Sequence, residues 1–474
     1  MKRLIAVATG VCLALIWVKV LTPRGESLAA FDERCIPSST PTRLPRWGPR
    51  PGCVAPPSNT PGIATPPRKP RAAGAPVLSR RALPAGRLAR LGATPDFHHG
   101  LLGQTVRPLP GDPLPGITGG EFEEFRLGLS DFTEVETVED GLGPAFNGSS
   151  CAVCHSVPAI GGAGVVSEVR AARRDERGGF VELAPRSGSL FQIFSIPPHT
   201  CQPVIPPEAN VIARRVPIPL FGAGLVEAIP DEVLLALDDT DDRDRDGVSG
   251  RAAIITDIAT GHRRVGRFGW KAQQATLLAF SADAYRNEMG ITNDLFPDEV
   301  AFGITAEQMK LCDRIPDPED KPDRRTRRRA IDNFESFMKF LAPAGRGPID
   351  DTVRAGEVVF GTVGCASCHV PSLQTGPSPN PLFHRKVVPL FSDLLLHDIG
   401  TGDGISQEAA APQEFRTPAL WGLRLRRPLL HDGTAATVED AIGLHGGEAA
   451  SARGRFLALP ADQRAALLAF LKSL

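Results

Sequence analysis

The chain has no excess charge of either sign: 53 Lys and Arg against 54 Asp and Glu leave a net charge of −1. Composition therefore gives no basis for a nucleic-acid partner or for adsorption to an anionic membrane, since both need a concentrated positive surface. Long hydrophobic runs are also missing. The apolar stretch from Leu4 to Val18 follows Lys2 and Arg3 and falls short of the ~20 residues of a membrane span. Basic start, apolar middle and the small residues of Ser27-Leu28-Ala29-Ala30 predict a secretory signal over residues 1–30. Ile16 to Leu21, with Lys19 inside, keeps an uncleaved membrane anchor as the alternative. Cys12 lies within this segment and would be discarded with it. Residues 31–95 are rich in Pro, Arg, Ser and Ala and lack apolar periodicity. Such a stretch cannot bury enough surface to offset ordering entropy, which predicts a flexible segment.

Cysteine is scarce, with nine in 474 residues, yet four of them fall in two copies of one pattern. Cys151-Ala152-Val153-Cys154-His155 and Cys365-Ala366-Ser367-Cys368-His369 are both complete C-x-x-C-H units, the pattern of covalent c-type haem attachment. The spacing follows from the chemistry. Two thiols must reach two vinyl groups on one porphyrin edge, and the next imidazole must swing under the iron. Zinc knuckles or a disulfide framework are the competing reading, but zinc wants four ligands gathered close together, and these pairs are far apart in the chain. Two covalently bound haem c groups are therefore expected. Because bacteria attach haem c outside the cytoplasmic membrane, the protein is expected to be periplasmic or exported, in agreement with the signal. Cys35, Cys53, Cys201 and Cys312 remain, and an oxidising compartment invites disulfides among them. Proximity favours Cys35–Cys53 and leaves Cys201–Cys312.

Ordered sequence resumes near Pro113, with Glu121 to Leu127 and Phe132 reading as a helix that leads into the first motif. Gly179 to Leu183 and Leu190 to Ile196 read as strands of a small β insertion. Asp242, Asp244 and Asp246, followed by Gly247, have the alternation of the first half of a calcium loop. The twelfth position is Ala253 rather than Glu, so this is no EF-hand. Calcium and a solvated acidic loop both stay open. A helix is expected over 331–341, a linker over 344–348, a helix from Val353 to Val363 leading into Cys365, and a closing helix after Pro460. The expected fold is mainly α with irregular loops and a small β insertion, forming two cytochrome c-like haem domains. Their limits are read as 96–345, with the insertion, and 346–474.

Phe415-Arg416-Thr417-Pro418-Ala419-Leu420 and Leu430-His431-Asp432-Gly433-Thr434 lie before the final helices. With Asn147 to Gly164 and Arg267 to Pro297, they resemble the bacterial di-haem cytochrome c peroxidase superfamily. The likeness starts near Gly119 and is greatest to the di-haem oxidoreductases often labelled thiol oxidoreductases. The resemblance implies a reactive N-terminal haem with His155 as proximal ligand and an electron-entry haem with His369. It implies a distal ligand after a T-L-E-E motif, matched here by Thr437-Val438-Glu439-Asp440, which puts His445 where the family usually has Met. His431 is the runner-up. Trp270 matches the tryptophan between the haems, and Glu288 the distal glutamate that handles the peroxide proton. The family's distal glutamine has no clean counterpart, because Gln273 and Gln274 follow Trp270 too closely. The next histidine after His155 is His199, so displacement of a distal histidine is not expected to gate the first haem. The implied function is peroxidase-like: electrons pass from a small periplasmic cytochrome or copper protein, through the C-terminal haem, to hydrogen peroxide or another small oxidant. A non-catalytic electron carrier and an oxygenase acting on an organic substrate are the alternatives.

Overall fold

The computed structural model describes residues 107–474. The expected signal, the Pro/Arg-rich segment, Cys35 and Cys53 lie outside the described residues. Helix α1 (Gly119–Thr133) opens on a capping box in which Thr118 and Glu121 satisfy each other's exposed N–H groups. The first motif forms the one-turn helix α2 (Cys151–Cys154). After the β insertion come α3 (Leu277–Met289), α4 (Ala306–Cys312) and α5 (Ala330–Phe340). Helix α6 (Asp351–Val363) precedes the second motif, and α7 (Val438–Leu444), α8 (Ala450–Leu457) and α9 (Ala461–Leu471) end the chain. Helices with several small sheets make up the architecture.

Two helix pairs set the cores. Helix α1 lies against α5, where a Cβ on Gly128 would come within 2.2 Å of the Asn333 carbonyl, so only glycine allows this approach. Phe125 and Phe132 of α1 then stack around Phe337 of α5. Their cluster also takes in Leu373, Phe383, Leu390 and Trp421 from beyond the second motif. Helix α6 packs on α9 in the same way, and a Cβ on Gly356 would meet the Ala466 carbonyl at 1.9 Å. Phe360, Leu467, Phe470 and Leu471 fill this second cluster. The closing helix expected after Pro460 buries Leu467, Leu468, Phe470 and Leu471.

The β insertion differs from its sequence reading. Its centre is β1 (Glu168–Arg174), paired antiparallel with β2 (Phe180–Val181), β3 (Leu190–Phe191) and β4 (Val211–Arg215). The expected 179–183 strand shrinks to residues 180–181, and 190–196 divides into 190–191 and 194–195. Strand β1, the longest, was not expected because Glu168-Val169-Arg170-Ala171-Ala172-Arg173-Arg174 has no apolar alternation. Arg170 can be buried in it because it turns back onto Glu168, through two hydrogen bonds of 2.7 and 3.1 Å. Pairing in this way lets charged side chains occupy an interior position. Cys201 and Cys312 form the expected disulfide, tying the insertion to α4. No helix among the described residues is long and apolar enough to cross a membrane.

Candidate functional site

The first motif borders a cavity of about 560 Å³, within the ~300–1,000 Å³ range of small-molecule and cofactor pockets. Ser150 caps α2 by accepting the Ala152 N–H, and one helical turn brings Cys151 and Cys154 to the same side. Both remain thiols. His155 follows at the C-cap, with Nδ1 2.9 Å from the Gly162 carbonyl. A carbonyl only accepts, so Nδ1 carries the proton and Nε2 keeps its lone pair. Burial holds the ring's pKa below the usual histidine value, which favours the neutral form that a metal needs. Gly162 has to be glycine, since a Cβ there would sit 2.1 Å from the Val157 carbonyl.

Glu288 lines the same cavity from the last turn of α3. Asn147 Nδ2 donates to its carboxylate at 2.7 Å, and the Asn147 N–H donates to its backbone carbonyl at 2.7 Å. The run just before the first motif is thereby tied to the carboxylate. Burial raises the Glu288 carboxyl to about 7; the charge of Glu168 adds to this, while Asn147 and Arg170 oppose it. Arg170 and Arg215 also border the cavity. Burial would raise Glu168, but these two guanidinium groups hold it below its ordinary value.

The second motif borders a cavity of about 340 Å³. Gly364 ends α6 at a φ of +90° and turns the chain into Cys365. His369 Nδ1 is 3.1 Å from the Phe391 carbonyl, and burial lowers this ring to about 4. His445 lines the same cavity, its Nδ1 2.6 Å from the Ala441 carbonyl, so its Nε2 is free as well. Thr437 and Asp440 form the capping box of α7, and His445 is that helix's C-cap. The motif therefore starts the helix that delivers the histidine. His431 borders the cavity too, but its ring stacks on Phe415 at 3.9 Å between centroids. Both cavities offer a thiol pair and a neutral imidazole with a free Nε2, a donor set that suits haem c.

Trp270 is the residue that borders both cavities. Its indole N–H donates to the Val216 carbonyl at 2.8 Å, and the Arg426 guanidinium lies 5.1 Å from its ring centroid. The sequence profile of the di-haem oxidoreductases matches residues 207–474, more than half of the chain. The chain belongs to the di-haem oxidoreductase family. No curated protein sequence matches it. Among solved structures it is similar to hydrazine synthase of Kuenenia stuttgartiensis, at 16% identity, 84% of this chain, 100% of that one and a TM-score of 0.37. It is also similar to the diheme peroxidase BthA of Burkholderia thailandensis, at 16% identity, 79% and 92% coverage and a TM-score of 0.35. A MauG-like protein associated with microbial copper homeostasis shares 17% identity over 52% of this chain and 89% of that one, with a TM-score of 0.27.

Within this family member the cavities contain residues that spacing did not reveal. Glu168, Arg170 and Arg215 reach the first cavity from segments with no motif, and Asn147 reaches it from the run before the first motif. Gln273 and Gln274, set aside for their closeness to Trp270, line it as well. The chain doubles back there: Phe268 pairs with Gln274 across a turn in which Gly269 and Ala272 both have positive φ. His199 binds Ser195 Oγ at 3.0 Å and does not border either cavity. In the acidic loop, Asp242 and Asp244 gather with Asp239, their oxygens within 4.8 Å. Asp246 instead accepts the Val248 N–H and borders the second cavity.

Proposed function

We propose that this di-haem oxidoreductase is peroxidase-like, with a reactive centre at Cys151, Cys154 and His155. Cys365, Cys368, His369 and His445 would hold the second centre, in a C-terminal cytochrome c domain beginning near residue 346. Haem c at the two positions would supply the redox chemistry that reduces hydrogen peroxide to water with two electrons and two protons. The observation that carries this reading is the chemical contrast between the cavities. One pairs its motif with Glu288, Arg170 and Asn147, and the other with His445, beside His397 and His431.

A carboxyl near 7 exists in both forms at neutral pH, so Glu288 can take a proton from one peroxide oxygen and return it to the other. Asn147 holds that carboxylate in place, and Arg170 adds positive charge beside it. Trp270 forms the wall that an electron would cross between centres. His445 in place of a thioether would lower the potential of the second centre, since His/Met ligation raises it. A small cytochrome or copper protein is the proposed donor. An exported or periplasmic location is supported by the C-x-x-C-H pairs and by the Cys201–Cys312 disulfide, both suited to an oxidising compartment. The gathered Asp239, Asp242 and Asp244 remain the candidate for calcium in the acidic loop.

One observation favours a non-catalytic electron carrier: Met289 and Met338 also line the first cavity, and a thioether could complete the coordination there. Electron paramagnetic resonance of the oxidised and one-electron-reduced holoprotein separates the readings. A high-spin ferric signal altered by hydrogen peroxide is expected. Two low-spin signals, unchanged by peroxide in both states, would leave an electron-transfer protein.

A further inference from the structure

Away from both cavities, four carboxylates converge where the α4–α5 connection meets the end of α3. One ligand oxygen each of Glu299, Asp313, Asp317 and Glu319 lies within 4.8 Å of the others. A surface acidic patch would point its oxygens to water. Here Glu299 is only 5% exposed, and its Oε1 has no hydrogen-bond partner. Glu319 Oε1 is likewise buried without a partner. Other oxygens of the cluster are held by Thr292 and by a backbone N–H. Glu319 Oε2 accepts the Thr292 N–H at 2.7 Å and also contacts Thr292 Oγ1. Thr292 Oγ1 lies 2.7 Å from Asp317 Oδ1, and Asp313 Oδ1 accepts the Ile315 N–H at 2.9 Å. Room for the Glu319 stem is provided by Gly141, where a Cβ would come within 2.6 Å of Glu319 Cγ.

We propose that Glu299, Asp313, Asp317 and Glu319 form a binding site for a divalent cation, with calcium as its ligand. Leaving a buried carboxylate oxygen unpaired is costly, and a hard cation removes that cost for Glu299 and Glu319 together. The donors are all oxygen, which disfavours zinc and copper. Calcium accepts six to eight oxygens in irregular geometry, including bidentate glutamates, whereas magnesium demands a near-ideal octahedron. Asp317, the exposed member, gives the ion a route in from solvent. The competing occupant is a proton. Burial raises the Glu299 carboxyl to about 10, and Asp313, Glu319 and Asp317, all acidic, add to the effect.

The two occupants make opposite predictions for Glu299→Gln, which copies the protonated acid and removes a charge. The full-length holoprotein, stripped with a calcium chelator, would be titrated with calcium by calorimetry and followed by thermal unfolding. A calcium-binding event is expected to weaken by about tenfold or more in Glu299→Gln and in Asp317→Asn. It should persist in the Asp242→Asn/Asp244→Asn double variant, which tests the other acidic loop. Calcium should also raise the wild-type unfolding midpoint by more than that of Glu299→Gln at the same calcium concentration. If the wild type binds no calcium, or binds it as tightly after Glu299→Gln and Asp317→Asn, the cation site is wrong and the proton is the occupant. Loss of binding only in the Asp242→Asn/Asp244→Asn variant would equally overturn it.

Discussion

Replacing Glu288 by Gln tests the proposed chemistry most directly, because the change removes a proton site and little else. Gln keeps an oxygen to accept the Asn147 Nδ2 hydrogen bond of 2.7 Å. The wild-type carboxyl stands at about 7 against an ordinary 4.5. At 1.36 kcal/mol per pKa unit, that difference corresponds to about 3 kcal/mol of destabilisation once the group is ionised. The sign is fixed by linkage. Between pH 4.5 and 7 the unfolded chain gives up this proton before the folded one does, so its contribution lowers stability as pH rises through that window. Glu288→Gln should therefore be at least as stable as the wild type at pH 8, and the same within error at pH 4. Activity should move the other way. General acid–base groups contribute ~10²–10⁴-fold, so stopped-flow reaction with hydrogen peroxide should slow by about that factor at pH 8. The wild-type rate constant should rise as pH passes through about 7, when the carboxylate forms, and the variant should lose this limb. A variant within twofold of the wild-type rate, or one that keeps the same pH profile, would refute the assignment of Glu288 as the proton carrier.

Trp270→Phe should slow electron transfer between the centres while leaving the spectrum of each unchanged, as read by flash-initiated reduction. It also loses the indole bond to Val216, at a cost of about 1 kcal/mol in chemical denaturation. His445→Met should raise the potential of the second centre by on the order of 100 mV in a spectroelectrochemical titration. An unchanged potential would remove His445 from the coordination sphere and bring His431 forward. Cys201→Ser/Cys312→Ser opens a bridge between residues 111 apart in sequence. Loop-closure entropy puts the expected loss at about 4–5 kcal/mol, measured as a lower denaturant midpoint in the oxidised protein.

What the sequence made legible were features whose chemistry requires fixed spacing or periodicity. The C-x-x-C-H units are seen lining cavities because two thiols and an imidazole must be neighbours in the chain to serve one porphyrin edge. Helices α5 and α6 were legible because each has an apolar face repeating with helical period, and α9 because Pro460 starts a helix that runs into an apolar stretch. Glu168, Arg170 and Arg215 gave no such signal. Their burial depends on pairing across β1 and β4, where Glu168 sits opposite Arg215, and pairing at long range leaves no local pattern. Gln273 was misjudged for a related reason. Closeness to Trp270 in sequence suggested one shared position, but the positive φ of Gly269 and Ala272 folds the segment back on itself. The Glu299 to Glu319 carboxylates were missed because their spacing is irregular, and only the tertiary fold brings them together.

The hydrogen bonds around Trp270 constrain how communication between the cavities can work. Its side chain donates to the Val216 carbonyl, and the Val216 N–H donates to the His431 carbonyl at 2.7 Å. Its own carbonyl accepts the Arg416 N–H at 2.8 Å, while Arg416 Nε reaches the Gly269 carbonyl at 2.9 Å. The end of β4, the Trp270 turn and the Phe415 and His431 segments are therefore one cross-linked unit. Moving one cavity relative to the other would break several of these bonds at once, each costing the desolvation of an unpaired group. Regulation by sliding the two cavities apart is thus disfavoured by the same contacts that define the wall. Any change in reactivity between oxidation states should arise locally, at Glu288 or at the groups facing His155. Hydrogen exchange makes the distinction measurable: protection at Trp270, Val216 and Arg416 should be equal in oxidised and reduced holoprotein, with differences confined to residues near 147–155 and 286–290.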